Sequence, residues 1–337
     1  MQLEDRIRAF SALGIKIREL PEETIQELAQ KAKAANGWFS PESVQNALQG
    51  IAFMLEEEKL RQWCSRYALE TDFPKIVGII MAGNIPLVGF HDLLSVLISG
   101  NFAAIKPSSD DTVLVQTLLD WMVEIEPRFR KNIEMREKLT EVEAVIATGS
   151  DNTARYFEYY FGHVQHIIRK NRTSVAILTG KETPEDFQKL GEDIFSYYGL
   201  GCRNVSKVYT PEGYDLREVF PHLELYNEVV HHHKYRNNYD YNKSIYLVNK
   251  TPHLDTGFLL VTTSDELVSP ISVLFHQAYT SEKELLGILE AKKEKIQCIV
   301  GTDHIPFGTA QRPELWDYAD EVDTMAFLQN LEIKATN

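Results

Sequence analysis

At 337 residues, 44% of them hydrophobic, the chain can bury the cores of two globular domains without metal or disulfide staples. Its net charge of −14 excludes a nucleic-acid groove, which needs an excess of lysine and arginine, but leaves room for a local basic pocket. The opening MQLEDRIRAFSALG has mixed charge and no long apolar run, so no signal peptide is expected, and no run of about eighteen apolar residues predicts a membrane span.

Residues 1 to about 72 predict helices. PEETIQELAQKAKAAN and SPESVQNALQGIAFMLEEEKLRQWCSRYAL place apolar residues at three-and-four spacing, with Pro21 and Pro41 near first turns. From Lys75 the period changes. KIVGIIMAG reads as a buried strand, HDLLSVLISG as a helix, NFAAIKP as a strand, and SSDDTVLVQTLLDWMVEI as a helix with Ser/Asp capping signals. VEAVIATGS and DNTARYFEYYF repeat the order. HVQHIIRK and TSVAILTG supply further strands and TPEDFQKLGEDIFSYYG a further helix. Such alternation implies mostly parallel sheets covered on both faces. Residues 225–245, polar and aromatic, read as an insertion or exposed excursion.

The expected domains are 1–172, N-terminal helices plus a cofactor-binding α/β domain; 173–308, a catalytic α/β domain; and 309–337, a tail returning to the first domain or an oligomer interface.

No GxGxxG follows the first strand, so the usual dinucleotide fingerprint is missing. The loop there is Ala-Gly-Asn-Ile-Pro, 82–86. Those residue types by themselves favour a plain turn; the other reading has Asn84 offering its amide from the carboxyl end of a strand, where ligands gather. Lys106 ends the next strand just before a helix start, a place suited to a phosphate or ribose, and Gly149-Ser150 ends a later strand in the same way.

The cysteines, Cys64, Cys202 and Cys298, form no CxxC pair and no disulfide framework, which fits a reducing cytoplasm. Cys298 in IQCIVG reads as a buried strand residue and Cys64 as a helix residue. Cys202 lies in the Gly-rich loop Tyr-Gly-Leu-Gly-Cys-Arg-Asn, where a thiolate could reach a carbonyl carbon; a packed thiol is the plainer reading. His231–His233 are adjacent and point in different directions, with no carboxylate or cysteine spacing to complete a site, so no metal is expected. DYADEVD lacks the glycine and final glutamate of a Ca²⁺ loop and reads as a solvated or helix-capping segment.

Taken in order, these pieces resemble the aldehyde dehydrogenase superfamily. AGNIPL is similar to its Asn-containing loop, GNFAAIKPS to its Lys-Pro element, ATGS to the segment meeting the cofactor pyrophosphate, and TSVAIL to the strand entering the catalytic domain. Gly199-x-x-Cys202 resembles the nucleophile loop. Glu266-Leu-Val-Ser-Pro270 resembles the Glu-x-x-Gly-Pro element whose acid contacts the nicotinamide ribose. More narrowly, GNIP, the short chain and the ending FGTAQRPELWDYADEVDTMAFL resemble LuxC-type acyl-CoA reductases.

The resemblance implies two doubly wound α/β domains with an N-terminal helical segment. It further implies reduction of a fatty acyl-CoA thioester to an aldehyde through a Cys202 thioacyl enzyme, its oxyanion held by Asn84 and the Cys202 N–H. Lys106 and Ser108 would bind the adenosine ribose or its phosphate, Gly149 and Ser150 would face the pyrophosphate, and Glu266 would hold the nicotinamide ribose. NADPH is expected over NADH, because Ser109 stands where NAD-preferring relatives often have an acid, though Asp110 is nearby. A homo-oligomer is implied, with acyl-CoA or an acyl group delivered by an acyl-protein synthetase as donor. An acyl phosphate substrate and an inactive scaffold are the rival readings. One departure matters: hydrolytic relatives carry a general-base glutamate just before the TSVAIL strand, and here that place holds Arg169. Its absence favours reduction of an activated acyl group.

Overall fold

The computed structural model describes residues 1–70 and 73–331. Residues 71–72 of the expected helical region and 332–337 of the expected tail lie outside the described residues. The chain divides into two compact units, one comprising Met1–Asn171 with the segment from Pro313 on, the other Arg172–Arg312. Among the described residues no helix is long and apolar enough to cross a membrane.

The first unit opens with helices α1 (Leu3–Arg18), α2 (Glu22–Ala35), α3 (Pro41–Met54) and α4 (Glu57–Cys64). Ser40 caps α3 by accepting the Ser43 N–H, with Pro41 in the first turn, where its missing N–H costs nothing. The helices bury Phe10, Leu13, Phe39, Leu55, Leu60 and Trp63 in one core with Val77, Ile79, Ile105 and Ile146.

Those last residues belong to a five-stranded parallel sheet: β1 (Ile76–Ile80), β2 (Phe102–Lys106), β3 (Ile133–Met135), β4 (Ala144–Thr148) and β5 (Gln165–Arg169). Helices α5 (Phe90–Ile98), α6 (Thr112–Ile125) and α7 (Asp151–Phe161) connect them. The strand order is β3-β2-β1-β4-β5. The chain therefore runs outward from β1 to β3 and restarts on the other side at β4, which makes a topological switch point between β1 and β4. After Pro313 the chain returns to this unit: the His91 ring meets the Leu315 carbonyl, and the Trp63 Nε1–H donates to the Tyr318 hydroxyl at 2.6 Å.

The second unit carries β6 (Thr173–Ile177), α8 (Pro184–Phe195), β7 (Val205–Pro211), α9 (Phe220–Leu223), α10 (His233–Asn249), β8 (Leu254–Asp255), β9 (Leu260–Thr263), β10 (Val273–Tyr279), α11 (Glu282–Lys292) and β11 (Ile296–Val300). Its sheet order is β11-β6-β7-β10-β9-β8, parallel except for the β8–β9 pair. Helix α8 starts with a reciprocal capping box between Thr183 and Asp186.

Two sequence readings are corrected. Residues 225–245, expected to be an insertion or exposed excursion, are largely exposed but regular: a 3₁₀ turn over Glu224–His231 leads into α10, which buries Tyr235, Tyr239 and Asn242. Their i, i+4, i+7 spacing is a helical stripe made of aromatic and amide groups, which a purely apolar pattern overlooks. Tyr235 donates its hydroxyl to the Phe258 carbonyl at 3.0 Å, and Asn242 its amide to the Ile271 carbonyl at 3.0 Å. The second correction concerns α6. Asp111 occupies its cap position but makes no cap bond there; its Oδ2 instead accepts the Leu87 N–H at 2.6 Å.

Candidate functional site

In the first unit, the expected site residues gather at the carboxyl ends of β1, β2 and β4. Asn84 is exposed in the loop after β1, which occupies one side of the switch point. That loop is tied at three places. The buried Asn36 amide donates to the Gly83 carbonyl at 3.0 Å; a Cβ on Gly83 would stand 2.6 Å from the Ser108 Oγ; and Leu87, at a φ of 55°, gives its N–H to Asp111. Asp111 is buried and its other oxygen, Oδ1, meets no hydrogen-bond donor among the described residues. Burial pushes its carboxyl up to about 7, against the lowering effect of the Leu87 N–H.

Lys106 ends β2 with its ammonium exposed and donating to the Glu137 carbonyl at 2.9 Å. Ser108 Oγ accepts the Asp110 N–H at 3.2 Å. On the far side of the switch point, Gly149 follows β4, and Ser150 caps α7 by accepting the Thr153 N–H at 3.2 Å. A Cβ at Gly149 would stand 2.9 Å from the Phe157 ring, so a bare backbone is required there.

Arg169, at the place compared with the hydrolytic glutamate, ends β5 and is buried. Its guanidinium meets Asp92 of α5 at 2.8 Å, the Ala319 carbonyl at 2.6 Å and the Thr324 hydroxyl at 2.8 Å. All of these groups lie in the first unit.

In the second unit, Cys202 is half-buried in the loop entering β7. Tyr197, Tyr198 and Gly199 take three successive left-handed conformations on the way into that loop, an arrangement that only a well-determined surround sustains. Asn204 supplies much of that determination. Its Oδ1 accepts the Gly201 N–H at 2.8 Å, while its Nδ2 donates to the carbonyls of Asp193 at 3.1 Å and Ser196 at 2.8 Å, at the end of α8. Ser174 of β6 donates to the Cys202 carbonyl at 3.0 Å and also meets the Cys298 sulfur at 3.0 Å. Cys298 is buried in β11, and Cys64 is buried in α4 with its thiol pushed up to about 12 by desolvation, so neither suits nucleophilic work.

Glu266 is exposed in the β9–β10 loop, its N–H donated to Ser264 Oγ at 3.1 Å. That loop rests on β7: Ser206 Oγ donates to the Leu267 carbonyl at 2.7 Å, and Lys207 Nζ to the carbonyls of Ser264 and Glu266 at 2.7 and 3.1 Å. His231 and His233 are exposed, and the His232 ring packs on Tyr198 at 4.4 Å. Of DYADEVD, Asp323 caps the helix Thr324–Gln329 through the Ala326 N–H.

Sequence reasoning did not single out Asn36, Ser174, Asn204 or Lys207. Lys207 carries a usable signal, a lone charge inside the buried strand run NVSKVYT. Asn204 adjoins the cysteine loop, and its short amide side chain suits capping of nearby backbone.

Solved structures share this fold. An NAD-dependent aldehyde dehydrogenase from Sinorhizobium meliloti is 12% identical, with a TM-score of 0.66 over 92% of this chain and 72% of that one. The aldehyde dehydrogenase of Bacillus cereus, solved as its NAD⁺ complex, is 13% identical, with a TM-score of 0.62 over 90% and 73%. The indole-3-acetaldehyde dehydrogenase AldA of P. syringae is 13% identical, with a TM-score of 0.65 over 89% and 72%. The fold is thus α/β of the aldehyde dehydrogenase-like type, with N-terminal helices. No curated protein sequence gives a significant match. The model of the acyl-CoA reductase family LuxC matches residues 8–225, more than half of the 337 residues, and the chain belongs to the LuxC family of acyl-CoA reductases.

Proposed function

We propose that this reductase converts a fatty acyl thioester to its aldehyde through an acyl group held on Cys202, with NADPH as the preferred reductant and NADH as the lesser one. The observation that carries the reading is the held nucleophile loop: a half-buried thiol whose flanking backbone is fixed by Asn204 and Ser174. A fixed loop limits the positions the sulfur can take, which favours a near-attack geometry.

The cofactor fits the first unit. Bare backbone at Gly149, the start of α7 beside it, and the exposed Lys106 ammonium stand around a switch point, the place where open α/β sheets take a dinucleotide. In this reading Gly149 and Ser150 hold the pyrophosphate, Lys106 and Ser108 the adenosine ribose or its 2′-phosphate, and Glu266 the nicotinamide ribose. Ser109 in place of an acid, with Lys106 close in sequence, supports the 2′-phosphate. This first unit is read as the cofactor-binding domain and Arg172–Arg312 as the catalytic one.

The Cys202 thiolate attacks the thioester carbonyl. Asn84 and the Cys202 N–H are assigned to the developing oxyanion, the bond to coenzyme A sulfur breaks, and coenzyme A leaves as its thiol after taking up a proton. A bound nicotinamide reductant supplies one hydride. Cys202 would then leave the reduced carbon as its thiolate, releasing aldehyde and freeing the nucleophile for the next acyl group. Arg169 cannot serve as a general base, so no side chain at that place activates water against the acyl enzyme. The expected setting is the cytoplasm, with a homo-oligomer and an acyl-transferring partner protein as associates.

The test is loss of NADPH absorbance with acyl-CoAs of graded length, for wild type and Cys202→Ala. Consumption that needs Cys202 and yields aldehyde supports the reading. Silence with every acyl-CoA and both cofactors sinks it and turns attention to acyl phosphates.

A further inference from the structure

Four successive carbonyls in the β9–β10 loop each accept from a side chain: Ser264 and Glu266 from Lys207, Asp265 from Lys292, and Leu267 from Ser206. Lys207 is fully buried, and its third donor goes to Gln277 Oε1 at 2.6 Å, so all three ammonium hydrogens meet oxygen. Its pKa falls to about 8, chiefly through desolvation and then through the like charge of Lys292. An apolar residue would fill a central strand position at lower desolvation cost. What the ammonium adds is its hold on the loop. Glu266 itself is exposed, with its backbone N–H and carbonyl both engaged.

We infer that Lys207 is a positioning residue for Glu266: by fixing the backbone of residues 264–266 it sets where the Glu266 carboxylate meets the nicotinamide ribose. The inference rests on the ribose role proposed for Glu266. It also gives β7 a double duty. Asn204, just ahead of the strand, holds the Cys202 turn, while Ser206 and Lys207 hold the Glu266 loop. Nucleophile and ribose acid are thereby referred to one rigid strand, as chemistry that joins thioester and reductant requires.

The full chain is compared with Lys207→Met and with the milder Lys292→Met, which alters a half-buried clamp. Three readouts separate the roles: hydrogen exchange of the amides of residues 264–268, equilibrium binding of NADPH by its fluorescence, and acylation of Cys202 by acyl-CoA without cofactor. In Lys207→Met the loop amides exchange faster, NADPH binds about tenfold more weakly, and acylation stays within about twofold of wild type. Lys292→Met moves the first two the same way by less, and decides the matter where Lys207→Met does not fold. Unchanged exchange with unchanged NADPH affinity overturns the inference. So does an equal loss of acylation and binding, which marks general damage to β7. A wild type that binds no NADPH removes the ribose role of Glu266, whereas the exchange result still judges the clamp by itself.

Discussion

Arg169 and Asp92 form a buried ion pair at 2.8 Å, the arginine standing where the resemblance places the general base of hydrolytic aldehyde dehydrogenases. The pair sits inside the first unit, and the arginine also holds Ala319 and Thr324 of the returning segment. Its role is therefore to close the first unit over its C-terminal strap. Cutting one partner from such a pair leaves a buried charge unmatched. Arg169→Met is expected to lower unfolding stability by about 3–5 kcal/mol in denaturant titration. Arg169→Glu sets a second carboxylate beside Asp92 and is expected to destabilise at least as much while adding no thioester hydrolysis. Folded Arg169→Glu that hydrolyses acyl-CoA briskly would show that the position still faces the acyl group.

Asn204 joins the end of α8 to the turn carrying Cys202, so its loss should reach chemistry as well as stability. Asn204→Ala strands the carbonyls of Asp193 and Ser196 and the N–H of Gly201. A cost of about 1–3 kcal/mol is expected. Acylation of Cys202 by acyl-CoA, followed in a single turnover, should slow on the order of tenfold or more as the sulfur loses its fixed approach. NADPH affinity should stay near wild type. A normal acylation rate would remove Asn204 from the positioning role.

Asp111 and Asp193 are a matched pair of buried carboxyls with opposite surroundings. Burial pushes each from 3.8 up to about 7. A folded-state pKa raised above the unfolded one favours the protonated fold. This contribution is fully present below about pH 4 and is lost as pH rises through about 7. Asp111 uses one oxygen and leaves Oδ1 unmet among the described residues, so Asp111→Asn keeps the bond to Leu87 and removes the charge. Its stability at about pH 8 should equal or exceed wild type, with a flatter dependence between about pH 5 and 8.

Asp193 uses both oxygens, accepting the N–H groups of Gly308 at 2.7 Å and Ala310 at 3.0 Å. Asp193→Asn would turn an NH₂ group against one of them and should cost about 1–3 kcal/mol at every pH. Thermal unfolding across pH distinguishes the two variants; the opposite ranking would contradict the assignment of their partners.

Much of the fold was legible because its strands are short β-branched runs closed by Gly or Lys-Pro, and its helices carry clear caps. KIVGIIMAG, NFAAIKP and VEAVIATGS mark the strands around the switch point directly. Residues 225–245 were misread because α10 buries Tyr235, Tyr239 and Asn242, and polar tips on a buried stripe hide the helical period. Asp111 misled for a related reason: an acid before a helix suits a cap, but the Leu87 N–H, brought from the loop after β1, competes for it. That contact is long-range and leaves no local pattern. The candidate site positions were nominated through the order of motifs that carries the family resemblance, whereas Asn36, Ser174, Asn204 and Lys207 act through tertiary hydrogen bonds that spacing does not encode.

The most direct measurement is the intact mass of the protein after exposure to a fatty acyl-CoA without reductant, for wild type and Cys202→Ala. Wild type should gain one acyl group, located on Cys202 by peptide mapping, and NADPH should then discharge it as aldehyde; Cys202→Ala should gain none. An acyl group carried equally by Cys202→Ala, or aldehyde formed at the wild-type rate without Cys202, would contradict the thioacyl route.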